Sequence, residues 1–326
     1  MDKDLLKKII KRFFSSLFIL FLIVSFIFIL LRISPGDPVQ KYISPDLSPE
    51  LAERVRENFH LNEPIINQYF TFLQNILHGN FGISYSYLEP VVSVIMDYLP
   101  FTLIFAAISF ILQVGSAIFL SVYTFKNKNK FFDKFLGKIS LAVYSTPSFV
   151  LAVILIYIFS LKFPLFPTSN LRSVYFDDLS AAGKLYDYFK HLVLPLITLS
   201  LAGFVIFYKY VRENLEINSR KNYVLYLQAQ GLPQKEIIKK HILPNALGPL
   251  ISIAGIELGI LFSGALITEV IFSLPGMGRL TINAILARDY PLVTGCAFTA
   301  GFLMILANFL ADLIKAKLDK RLLEVL

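Results

Sequence analysis

The sequence predicts an all-α, polytopic membrane protein with six transmembrane helices, and three observations carry that expectation. Of its 326 residues 56% are hydrophobic, with a mean hydropathy of +0.64, an apolar fraction above that of water-soluble domains. Six stretches stay apolar for about the 20 residues that a bilayer crossing requires: 13–31, 98–125, 139–161, 192–208, 242–268 (interrupted only by Glu257) and 290–311. Finally, 21 of the 31 Lys and Arg fall in the N-terminal tail, 126–138, 209–240 and the segment from 315 onward. The positive-inside bias puts those segments and both termini in the cytoplasm. The net charge of +8 then reflects topology and anionic lipid rather than nucleic acid.

Residues 1–33 read as a cytoplasmic segment and a first span whose apolar core exceeds a signal-peptide h-region and lacks a small-x-small cleavage site, so it stays as an anchor. Residues 34–97 read as an external helical region, entered through the helix breakers Ser34-Pro35-Gly36-Asp37-Pro38. Pro49 after Ser48 opens one helix there, and Pro64 a second that Gly79 stops. The apolar stripe of the second, from Ile65 to Leu77, suits the membrane surface or a neighbouring span.

Residues 98–326 hold the other five spans and a cytoplasmic loop at 213–246. The second span opens at Leu99-Pro100. In the third, Pro147 loosens the backbone, as a gating kink or as a static one filled by neighbours. An external loop runs through Pro164, Pro167 and Thr168 to Lys190, and His191-Leu192-Val193-Leu194-Pro195 leads into the fourth span.

The loop between spans four and five is the sharpest local signal. Within Tyr223 to Pro249, Gly231 stands where a helix C-terminus takes a left-handed residue, and Pro233 where a new helix takes proline in its first turn. In the fifth span Gly255, Gly259 and Ser263 recur every four residues and share one face on which another helix can approach closely. Glu257 points away from that face. A carboxyl near mid-bilayer costs at least about 2.5 kcal/mol and so faces protein or water. Glu257 either lines a translocation path that attracts a cationic group or is satisfied by a neighbouring helix.

Residues with covalent chemistry are missing from the pattern. The single cysteine, Cys296, lies in the last span, and the four His (His60, His78, His191, His241) sit at no metal-ligand spacing. No G-x-x-x-x-G-K-[ST] phosphate loop occurs. The expectation is a chain with no catalytic residue and no metal site of its own.

Ordered motifs along nearly the whole chain resemble the permease subunits of bacterial ATP-binding-cassette importers of the dipeptide, oligopeptide and nickel group. They are Pro35-Gly36-Asp37-Pro38, Leu99-Pro100 with Thr102 and Leu103, His191 to Pro195, and Gly231 followed by Leu243-Pro244-Asn245-Ala246. After span five come Ile267-Thr268-Glu269-Val270-Ile271-Phe272-Ser273-Leu274-Pro275-Gly276-Met277-Gly278 and Ala284 to Pro291. Leu225, Tyr226 and Leu227 replace the family's Glu-Ala-Ala triplet, while Ala229 matches. In the tail Lys315 replaces a Tyr, and Asp319-Lys320-Arg321 replaces Asp-Pro-Arg.

The resemblance implies a type I importer permease fold in the bacterial cytoplasmic membrane. It implies a second homologous permease, two cytoplasmic ATPases that carry ATP and Mg, an external solute-binding protein, and alternating access. The loop at 222–246 becomes a coupling helix, with Tyr223, Ala229, Gly231, Leu232, Pro233, His241, Pro244 and Asn245 as its ATPase-facing element. Glu269 and Arg288 either pair across the external mouth or sit in water. Peptide is the preferred cargo, with nickel or a metal chelate as the alternative. A channel or secondary transporter is disfavoured because a single deep ionisable residue supplies little for an ion relay, and a membrane enzyme because no reactive constellation converges.

Overall fold

A computed structural model describes residues 3–33, 63–248, 250–262 and 265–318. The exit at Ser34 to Pro38, the helix opening at Pro49, Ser263, the side chain of Lys315 and the tail from Asp319 lie outside the described residues. Among those residues the chain is helical, with one isolated β-bridge between Ile83 and Pro90.

The order is α1 (Lys3–Ile33), α2 (Ile65–Leu77), α3 (Val91–Lys126), α4 (Phe131–Ser145), α5 (Ser148–Ile156, prolonged by a π-turn to Lys162) and α6 (Ala181–Ser219). The bend α7 (Asn222–Ala229), α8 (Gln234–Glu236) and α9 (Leu243–Leu247) follows, then α10 (Leu250–Phe262), α11 (Leu266–Ile271), α12 (Met277–Ala287) and α13 (Tyr290–Leu318). Four stretches are long and apolar enough to cross a bilayer: α3, α6, α10 with α11, and α13. The pair α4 and α5 is apolar enough only when taken together across a bend of 111°, which makes it a broken fifth span or a re-entrant loop, and α1 carries a shorter apolar stretch, Phe14–Leu30. Each of the six apolar runs of the sequence overlaps one of these, although 242–247 belongs to the π-turn and α9 rather than to a span.

Boundaries move for local reasons. Pro147 breaks the third span outright and stands as the N-cap of α5, because its ring denies the preceding turn a helical N–H. α6 starts at Ala181, ten residues before His191, where the Ser180 side chain accepts from the Gly183 N–H at 3.3 Å. That cap makes part of the expected external loop helical. The fifth run is not one helix: α9 ends at Leu247, and a non-helical Ala265 separates α10 from α11.

α2 packs on α1, where Phe28 stacks with Phe72 at 4.9 Å and meets Tyr69 at 5.3 Å. The centre of the fold is α3 against α6, with α10 alongside and α13 beyond. The inward stripe of α3 mixes apolar residues, among them Val94, Ile95 and Phe105, with the polar Thr102, Ser109, Gln113, Ser121 and Thr124, the polar five all fully buried. Its outward face carries Ile104, Ile111 and Phe119, each more than 60% exposed. Polar groups on the inward face and large apolar ones on the outward face suit a lipid setting, in which close approach and hydrogen bonding help to join the helices.

α10 meets α13 on its glycine face. A β-carbon on Gly259 would sit 3.2–3.3 Å from Met304, and one on Gly255 would collide with the Ala311 β-carbon. Gly255→Val therefore forces the helices apart and costs roughly 2 kcal/mol. A melt followed with a thiol-reactive dye checks this, since Cys296 is 1% exposed and reports unfolding. Ala311→Gly, which removes the struck atom, restores part of the loss.

Candidate functional site

The bend after α6 is built by a short list of bonds. α7 closes with the Gly231 N–H on the Gln228 carbonyl at 2.9 Å and the Leu232 N–H on the Leu227 carbonyl at 3.2 Å, with Gly231 at φ +80. This is the Schellman arrangement, in which the residue after the cap must be left-handed. Leu227 and Leu232, which flank it, pack into the same apolar cluster. Pro233 then stands as N-cap of α8, one position before the expected first turn, and its carbonyl accepts the Glu236 N–H at 2.9 Å. A π-turn over Ile237–Ile242 runs on into α9.

One side of the bend is nailed to the bundle. Val224, Ile237, Ile238, Ile242 and Ala246, each no more than 3% exposed, join Phe207, Val211 and Leu215 of α6 and Ala117 of α3 in one cluster. The other side is open. Leu225 and Tyr226 are 61% and 64% exposed, and Ala229, Gly231, Pro233, Pro244 and Asn245 are exposed beside them. Tyr223, Leu232 and His241 are half-buried, and Asn245 Nδ2 donates to the His241 carbonyl at 2.7 Å. Lys240 donates to Glu236 at 2.7 Å and holds that exposed carboxyl below the usual carboxylate range.

Upstream, a cavity of about 830 Å³ opens between α4 and α6, lined by Lys128, Asp133, Lys209, Arg212, Glu216 and Arg220. Arg212 reaches Glu216 at 2.6 Å and Asp133 at 3.8 Å, and Lys128 reaches Glu216 at 2.9 Å. These ion pairs tie the basic turn after α3 to the helix that leads into the bend.

The far ends of the helices hold two buried carboxyls. Glu269 is fully buried and accepts from Thr102 Oγ1 at 3.0 Å, the Gly278 N–H at 2.6 Å and the Arg279 N–H at 3.1 Å. Thr102 Oγ1 in turn accepts the Met277 N–H at 2.8 Å. Glu269 therefore neither pairs with Arg288 nor sits in water, both of which the sequence left open. It supplies acceptors to the N–H groups that begin α12, which no helical carbonyl can reach. Arg288 is exposed in the left-handed position that ends α12.

Asp289 is the second carboxyl and was not singled out from the sequence. It is fully buried and accepts Ser84 Oγ at 2.5 Å, the Ser86 N–H at 2.8 Å and the Leu292 N–H at 3.2 Å. An Asp just before an apolar run that opens with Tyr290-Pro291 is an N-cap signature, so the signal was available.

Glu257 has a different setting. It is half-buried, on the side of α10 away from α13, and Glu257 Oε1 lies 2.8 Å from where a Gly203 β-carbon would stand. Gln113 Oε1 crowds the same point. Among the described residues no three His, Cys, Asp or Glu converge as a metal-binding group.

Comparison with known proteins fits this geometry. Residues 113–324 match the family described as binding-protein-dependent transport system inner membrane component, and residues 5–106 match the N-terminal part of such membrane components. Nickel import system permease proteins NikB from two Staphylococcus aureus strains are 30% and 29% identical over 97% of this chain and 92% of their own. Among solved structures, the inward-facing MetNI methionine ABC transporter aligns with a TM-score of 0.52, over 71% of this chain and 99% of that one. At 18% identity that likeness shows the fold alone. The chain belongs to the inner-membrane components of binding-protein-dependent transport systems, and it is a multi-pass permease subunit of an ATP-binding-cassette importer of the peptide and nickel group.

Proposed function

We propose that this permease imports nickel, as the ion or as a small chelate, with energy delivered by ATPase subunits through the bend from α7 to α9. The observation that carries the cargo is the pair of nickel permeases matched over 97% of the chain. It moves the reading from peptide, which the sequence alone favours, to the nickel alternative. The coupling role is supported by a bend buried on one side and bare on the other, since a rigid two-helix element fixed to α6 passes displacement into the bundle better than a loose loop.

In this account a sister permease completes the path and an external binding protein delivers the cargo. ATP and Mg belong to the partner ATPases, both termini lie in the cytoplasm, and the chain performs no covalent chemistry. In vesicles that hold the full importer, ATP-dependent uptake of radioactive nickel is expected to exceed uptake of a labelled dipeptide at least tenfold. Dipeptide uptake at the higher rate would return the cargo to peptide.

A further inference from the structure

Among the carboxyls withdrawn into the helical bundle, Glu257 is unlike Glu269 and Asp289. Glu269 and Asp289 each accept three hydrogen bonds, as structural carboxyls withdrawn from water must. Glu257 accepts none among the described residues, and no cation there pairs with it. Its setting does not explain it as a packing group.

The second observation stands across from it. Gln113 of α3 is fully buried, its Nε2 donates to the Leu199 carbonyl at 3.3 Å, and its Oε1 has no partner. That oxygen and Glu257 Oε1 both lie within 2.8 Å of the point a Gly203 β-carbon would occupy, so they are at most twice that, 5.6 Å, apart. One turn earlier on α3, Ser109 Oγ is also fully buried without a partner. Acceptor oxygens converging from α3 and α10, over a residue of α6 with no side chain, call for a positive group between them. The absence of a β-carbon at Gly203 is what lets both side chains reach that point.

We propose that Glu257 and Gln113, with Ser109 one turn away, form an intramembrane relay site for a cationic cargo, a divalent metal or its positively charged chelate. This rests on the reading of the chain as a nickel permease. One carboxyl with neutral oxygens attracts a cation through charge but lacks the His or Cys ligands that would hold nickel tightly. A transport path needs that balance, since a site must be favourable enough to fill and weak enough to empty.

The test uses the whole importer in vesicles, supplied with nickel chloride alone and with nickel plus excess amino-acid chelator. Glu257→Gln is expected to lower nickel uptake about tenfold and Gln113→Leu several-fold, with subunit assembly and ATP hydrolysis kept. Glu257→Asp, which retains the charge, is expected to restore most of the uptake, as a purely packing role would not. A loss in both supplies shows that both cargo forms pass the site, and a loss in one supply assigns the site to that form. Wild-type uptake by Glu257→Gln and Gln113→Leu in both supplies overturns the site while leaving the nickel reading intact. A wild-type importer that takes up nickel in neither supply overturns the nickel reading, and this site with it.

Discussion

Glu269→Ala is expected to lower the stability of the permease by about 3 kcal/mol, the cost of leaving buried hydrogen-bond donors without an acceptor. The Gly278 and Arg279 N–H groups and the Thr102 hydroxyl all point at this one carboxyl. The surrounding glycines belong to the same device. A β-carbon on Gly276 would run into the Glu269 carboxyl, and one on Gly278 would come 2.5 Å from the Leu266 Cα. The string Pro275-Gly276-Met277-Gly278 is therefore the shape that lets the start of α12 close over a side chain from α11. Unfolding followed through the Cys296 thiol should show a midpoint lowered by roughly 5 °C. Glu269→Gln should fall in between, because one oxygen still accepts while the new amide faces N–H groups. An unchanged midpoint for Glu269→Ala would mean that water replaces the carboxyl.

Gly231→Val is expected to cut nickel uptake at least tenfold while the bundle stays folded. The space around Gly231 is open, with nothing within 4 Å of an added β-carbon, so the effect is one of backbone alone. At φ +80 a β-branched residue is strained by at least about 1–2 kcal/mol. The chain relieves that strain by opening the Schellman turn, which redirects α8 relative to α7. Gly231→Asn, which tolerates the left-handed region, is expected to keep most of the uptake. Gly79 offers a control, with φ +72 and equally open surroundings but far from the bend in sequence. Gly79→Val carries the same kind of strain and should leave the link between ATP hydrolysis and uptake intact. Equal loss in both variants would show general destabilisation rather than a broken bend.

The bend was legible because glycine and proline speak through local backbone rules. Gly231 is left-handed and Pro233 opens the next helix, displaced by one position. The apolar runs were legible because a bilayer sets their length, whereas their ends were not. α6 begins early because Ser180 caps it, and the third span breaks because Pro147 does. What the sequence concealed lies between elements distant in the chain. Glu269 meets Thr102 across 167 positions and Asp289 meets Ser84 across 205, separations that no periodicity encodes. Gln113 was hidden for another reason, since one uncharged residue in an apolar run leaves the hydropathy of the run unchanged. The sides of α3 were equally hidden, because apolar residues lie on both faces and the buried one is marked only by Thr102, Ser109, Gln113, Ser121 and Thr124 among them.

If the bend couples this chain to an ATPase, the contact falls on its open side, where Leu225 and Tyr226 stand out from the bundle at 61% and 64% exposure. The measurement that tests it most directly is copurification from detergent of the coexpressed ATPase and sister permease with this chain, wild type against Leu225→Asp plus Tyr226→Asp. Wild type is expected to retain both partners, and the double variant to lose the ATPase while it keeps the sister permease. An ATPase that copurifies equally with both forms, or with neither, would contradict it.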